Sequence, residues 1–168
     1  RRRLERQGKE VSLRSIHRWL TVAIVLLIIP TNLYLWAWRF VDLRRHGYPY
    51  YLHNAELDAF KWLEQNAQKD DVVLSSLTTG QYIPMFTGAH AYIAHWAQTL
   101  DFFEKREAVE RFFDEATADV ERARILQAHG VDYVLVGPAE RALGGFIPER
   151  SSLLSEVYRS SLVQVYRV

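Results

Sequence analysis

The chain has 168 residues, with 21 Lys/Arg, 20 Asp/Glu, no cysteine and a net charge of +1. Its charge is unevenly placed: residues 1–18 hold seven Lys/Arg against two Glu, while the remaining 150 hold 14 basic and 18 acidic side chains. A body of that balance excludes a strongly basic nucleic-acid binder, and the lack of cysteine excludes disulfide staples, thiol catalysis and thiolate metal sites. Once the unusual N-terminal forty residues are set aside, the length allows one globular domain of about 110 to 120 residues. Because the chain begins at Arg1 and nothing ahead of the first apolar run resembles a signal peptide, it is expected to be a piece of a longer protein.

The elements follow in chain order. Residues 1–18 form a basic segment. Residues 19–38, WLTVAIVLLIIPTNLYLWAW, carry no charge, and at about 1.5 Å per residue their helix spans about 30 Å, the thickness of a bilayer's hydrocarbon core. Trp19 at one end and Tyr34, Trp36 and Trp38 at the other stand where amphipathic rings favour the water interface. A transmembrane helix is expected here, with the lipid bilayer as its surroundings. Pro30, followed by Thr31 and Asn32, leaves a backbone carbonyl for a side chain or a neighbouring helix to satisfy, so other transmembrane helices of the same protein are expected partners. The excess of Lys/Arg before the span places the N-terminal side in the cytoplasm and residues 55–168 outside it. Residues 39–54 mix Arg, Gly, Pro and aromatics, a composition suited to an interfacial connector.

Beyond the connector the fold class is α/β. Asn54 is a plausible cap for an amphipathic helix with Phe60, Leu63 and Ala67 on one face. The run VVLSS from Val72 reads as a buried strand. Thr78-Thr79-Gly80 then opens a helical stretch, QYIPMFTG, that stops at Gly88, and AYIAHW from Ala91 reads as a second strand. The segments FFEKREAVERFFDEA from Phe102 and ADVERARILQAHG from Ala118 read as helices, with Gly130 closing the latter. VDYVLVGP from Val131 is the clearest buried strand. Alternation of helix and apolar strand predicts a small, mainly parallel sheet, and EVYRSSLVQVYRV from Glu156 predicts a C-terminal β-hairpin turning about Ser160-Ser161.

The candidate chemistry is sparse. Thr79 and Gly80, between a buried strand and a helical turn, offer backbone N–H groups suited to a phosphate or another anion, whereas plain capping is the plainer account. Gln81 and Tyr82 share that rim and can hydrogen-bond a sugar. His95 beside Trp96 can face a carbohydrate, the indole stacking and the imidazole hydrogen-bonding, whereas a core-edge aromatic is the plainer account. His90 and His95 are spaced wrongly for a metal, and no metal or cofactor is expected. Asp70-Asp71 reads as a turn into a strand. Gly137-Pro138, followed by Glu140 and Arg141, ends the best strand, where ligands gather in open parallel sheets. No nucleophile elbow, dinucleotide fingerprint or HExxH motif is present, so no catalytic residue is assigned.

TGQYIP with FTG, then AHWAQT, a helix holding Lys105 and ending in RFF, then GVDYVLVGPAERALG and a terminal VYRV form an ordered string. It resembles the C-terminal extracytoplasmic domain, with the last transmembrane helix, of bacterial multi-spanning membrane glycosyltransferases of the GT-C type, distant relatives of protein mannosyltransferases and oligosaccharyltransferases. The resemblance covers about residues 58–168. It implies a host that uses a polyprenyl-phosphate-linked sugar and carries its catalytic carboxylates in an earlier loop absent from this chain. The domain would then cap the active-site cavity or assist donor or acceptor binding. The alternative reading is a single-span anchored binding or scaffolding module with no enzymatic role.

Overall fold

The computed structural model describes residues 13–45, 47, 48 and 50–168. Most of the basic segment therefore lies outside the described residues. The chain divides into two compact units, Arg1–Tyr51 and Leu52–Val168.

In the first unit, helix α1 runs Leu13–Leu43, so it continues beyond the uncharged run at both ends and takes in the first residues of the stretch expected as a connector. The portion Ser15–Leu43 is long and apolar enough to cross a membrane, and its most apolar stretch has no buried residue. Pro30 lies inside the helix. Its ring nitrogen cannot serve the Leu26 carbonyl four residues back. The next two side chains fold onto the backbone: Thr31 Oγ1 donates to the Leu27 carbonyl and Asn32 Nδ2 to that of Ile28, each at 2.9 Å. Toward the C-terminal end, Trp36 and Phe40 meet edge to face at 4.5 Å. There Asp42 pairs with Arg45 at 3.5 Å, and Arg39 donates to the Tyr50 hydroxyl at 3.3 Å.

The second unit is built on a five-stranded sheet. Helix α2 (Asn54–Asn66) begins at the residue expected to cap it; the cap lies one residue earlier, at His53, whose N–H donates to Glu56 Oε2 at 2.7 Å. Strand β1 (Val72–Leu74), short helices α3 (Leu77–Gly80) and α4 (Ile83–Phe86), and strand β2 (His90–Ala91) follow. Then come α5 (Phe102–Phe113), α6 (Asp119–Ala128), β3 (Val131–Val136), α7 (Pro138–Gly144), β4 (Ser155–Arg159) and β5 (Gln164–Arg167). The strand order is β2-β1-β3-β5-β4. β1 runs parallel to both β2 and β3, while β5 is antiparallel to β3 and to β4. The expected hairpin forms. Because it joins the edge of β3 instead of standing apart, the sheet is mixed where the alternation of elements predicts a mainly parallel one.

Strand periodicity divides the core between the two faces. Val134 and Val136 of β3 join Leu74, Tyr92, Phe112, Phe113, Ile125 and Tyr166 under α5 and α6. Tyr133 and Leu135 join Phe60, Leu63, Val73, Ile83 and Val165 under α2 and α4. The expected strand AYIAHW shrinks to β2 because its ladder runs out: the last bond is Tyr92 N–H to Val73 O at 3.0 Å. Past it, Gly80 crowds the chain so closely that a Cβ there would sit 2.0 Å from the Ile93 carbonyl oxygen. The chain turns instead, with Ala94 N–H on Thr99 Oγ1 at 3.1 Å and Gln98 N–H on the His95 carbonyl at 2.9 Å.

Candidate functional site

The C-terminal ends of β1 and β3 converge where open parallel sheets commonly take ligands. Here the chain fills that place itself. Glu140, on α7 and 1% exposed, sends its carboxylate between the two strand ends. Oε1 accepts the Ser76 N–H and Oε2 the Gly137 N–H, each at 2.8 Å. The second bond is half of a capping box, with Pro138 at the first turn of α7. Ser76 in turn caps α3: its Oγ accepts the Thr79 N–H at 3.2 Å, and its carbonyl accepts the Gly80 N–H at 2.8 Å. The donors that sequence reasoning offered to an anion at Thr79 and Gly80 are thus engaged within the fold, and both residues are buried.

The other candidate residues separate. Gln81 and His95 come together, lining an open depression of about 530 Å³ with Pro84, Met85, Ala94 and Gln98. Trp96 stands beside it, 67% exposed, its ring 5.8 Å from that of His95. Within the turn, His95 Nδ1 accepts the Ala97 N–H at 3.3 Å. Tyr82 belongs elsewhere: its ring packs 6.2 Å from Phe60 and 6.3 Å from Phe86, on the α2 side. Gln81, His95 and Trp96 therefore make a surface with one stacking face and several hydrogen-bonding groups. That chemistry suits a hydroxylated ligand better than a proton-transfer step.

Three groups escaped sequence reasoning. Glu140 was placed only as a residue following a strand end, although its position three residues after a Gly-Pro helix start is a capping signature. Arg122 reads in sequence as one charge among several on a helix. It is 5% exposed and donates to the Phe112 carbonyl (3.0 Å), the Asp114 carbonyl (2.6 Å) and Asp119 Oδ1 (3.0 Å), its guanidinium 3.9 Å from the Phe146 ring centre. Tyr92, third, carries a buried hydroxyl with no hydrogen-bond partner among the described residues. Nothing in the local sequence marks it, since its surroundings come from α5 and α6. No group of three or more His, Asp or Glu among the described residues is arranged to hold a metal ion.

Residues 1–162 match the model of a family described as a family of unknown function, DUF6541. No curated protein matches the chain. Among solved structures, the C-terminal globular domain of an oligosaccharyltransferase from Archaeoglobus fulgidus is similar in fold, with a TM-score of 0.50 at 17% identity. The match covers 66% of this chain and 94% of that one.

Proposed function

The chain belongs to the DUF6541 family, and from that premise we propose that it is the last transmembrane helix and the non-catalytic extracytoplasmic domain of a membrane glycosyltransferase. The observation that carries this reading is a helix long enough to span a bilayer, followed in sequence by a domain that shares its fold with the C-terminal globular domain of an oligosaccharyltransferase. On this reading the host transfers a sugar from a polyprenyl phosphate, and its catalytic groups lie outside these residues. The domain caps the active-site cavity or helps hold donor or acceptor. Gln81, His95 and Trp96 face the sugar, while Thr79 and Gly80 hold the preceding turn and Tyr82 packs on the α2 side. In the span, Pro30 and Asn32 favour packing against other helices of the same protein, because bare backbone polar groups are costly in lipid.

The test is deletion of residues 52–168 from the full-length host, followed by an assay of sugar transfer from a polyprenyl-phosphate donor in membranes. Loss of transfer with normal membrane insertion is expected. A deletion that transfers sugar at the full rate would leave the domain as an anchored module with another task.

A further inference from the structure

On the β2 edge of the sheet, a depression of about 460 Å³ lies against His90, Tyr92, Gln98, Thr99, Lys105 and His129. Its wall holds one ammonium and two imidazoles and no carboxylate. Tyr92, Lys105 and His129 also border a smaller hollow of about 240 Å³ between α5 and α6, where Asp101 and Glu104 are offset by Arg111 and Arg124.

Two features set this place apart from the rest of the domain. The first is Lys105. Each of the other cations of α5 and α6 lies within 4 Å of a carboxylate: Arg106 with Glu110, Arg111 and Arg124 with Glu121, Arg122 with Asp119. Lys105 is partly buried and has no such partner among the described residues; its Nζ lies 5.4 Å from the centre of the Tyr92 ring. The second is Tyr92 itself, 1% exposed, with its ring 5.0 Å from that of His129 and its hydroxyl unpartnered. Among the described residues, the other buried hydroxyl without a partner within hydrogen-bond distance, on Tyr166, still faces the Glu149 carboxylate. Burial pushes the Tyr92 hydroxyl up to about 12, the nearby Arg111 pulling the other way, so it remains an O–H donor at neutral pH. A buried donor without an acceptor costs about 1 to 3 kcal/mol, and an ammonium with no paired carboxylate also favours an incoming anion.

We propose that the cleft formed by Lys105, His90 and His129 over Tyr92 is a binding site for a phosphate group, carried by a lipid headgroup or free in solution. Lys105 supplies the charge, while the imidazoles, Gln98 and the Thr99 hydroxyl supply directional contacts at the rim. The proposal concerns these residues alone and stands whether or not the host is a transferase.

The full chain in dodecyl maltoside, titrated by calorimetry with inorganic phosphate and separately with micelles containing phosphatidic acid, tests it. Saturable binding of at least one probe is expected, weakened about tenfold in Lys105→Gln, the loss of one charge-assisted contact. Lys69→Gln, on an exposed turn, should bind as the parent does. Tyr92→Phe is expected to keep or raise the melting temperature, since it removes an unsatisfied buried group, yet to bind the probe several-fold more weakly. Binding of the micelles but not of inorganic phosphate would identify a headgroup site, and binding of inorganic phosphate with no gain from the lipid would identify a soluble ligand. Absence of saturation with both probes, or unchanged binding in Lys105→Gln and Tyr92→Phe, would overturn the proposal.

Discussion

Glu140 joins two chain segments 64 residues apart through a single carboxylate. Replacing it with Ala would leave the Ser76 and Gly137 N–H groups without acceptors in a place water does not reach. Two stranded donors and a void predict a loss of about 3 kcal/mol in Glu140→Ala, against about 1 kcal/mol in Glu140→Gln, which keeps one acceptor oxygen. Urea denaturation in detergent, followed by circular dichroism, measures both; equal losses would show that the two hydrogen bonds and not packing fix the side chain. This residue also marks how far the sequence can be read at the site. Gly137-Pro138 and Glu140 are adjacent in sequence, and the strand end they follow was legible. Their partner Ser76 lies in another element, and only the fold brings it near. Thr79 and Gly80 show the opposite case: their local pattern suits an anion, and the fold adds what the pattern does not show, the structural work given them by Ser76 Oγ and the crowding at Ile93.

At the level of elements, the long periodic segments were legible and the short ones were not. β3 and α5 lie close to the stretches their apolar patterns mark, because each carries enough buried side chains to declare its period. β2 keeps two residues of an expected six, since a strand needs a partner and β1 offers only Val72–Leu74. α7 was not anticipated: it is seven residues long and starts at Pro138, where the apolar strand pattern simply ends. The joint between α5 and α6 depends on Arg122, which holds the Phe112 and Asp114 carbonyls at the end of α5 from its seat on α6. Arg122→Ala should therefore cost about 3 kcal/mol, and Arg122→Lys most of that, because an ammonium cannot reach both carbonyls and Asp119 in one plane. Thermal unfolding monitored by near-ultraviolet dichroism from the adjacent aromatic rings reports the change. A loss in the lysine variant of under half that in the alanine variant would assign the effect to charge alone.

For the whole molecule, the absence of cysteine makes the proposed orientation open to a clean measurement. Ser15→Cys lies at the start of α1 and Ser152→Cys on the exposed surface of the second unit. With no background thiol in this chain, a membrane-impermeant maleimide applied to intact cells expressing it should label the Ser152→Cys protein and spare the Ser15→Cys protein until the cells are opened. The reverse pattern would invert the topology inferred from the Lys/Arg bias. The mixed sheet also determines which surfaces remain for recognition. One flank ends in the hairpin strand β4, where Arg159 pairs with Glu149 and Glu156, and charged edges of this kind resist pairing with another chain. The opposite flank ends at β2, too short to extend the sheet. Between them, at the strand ends, Glu140 acts as a ligand that never dissociates. Its concentration there is set by a tether of three residues and not by the surrounding solution, and intramolecular groups so held outcompete free ones by large factors. Dissolved carboxylates and phosphates meet an already saturated position, which leaves the proposed recognition to the side chains around β2.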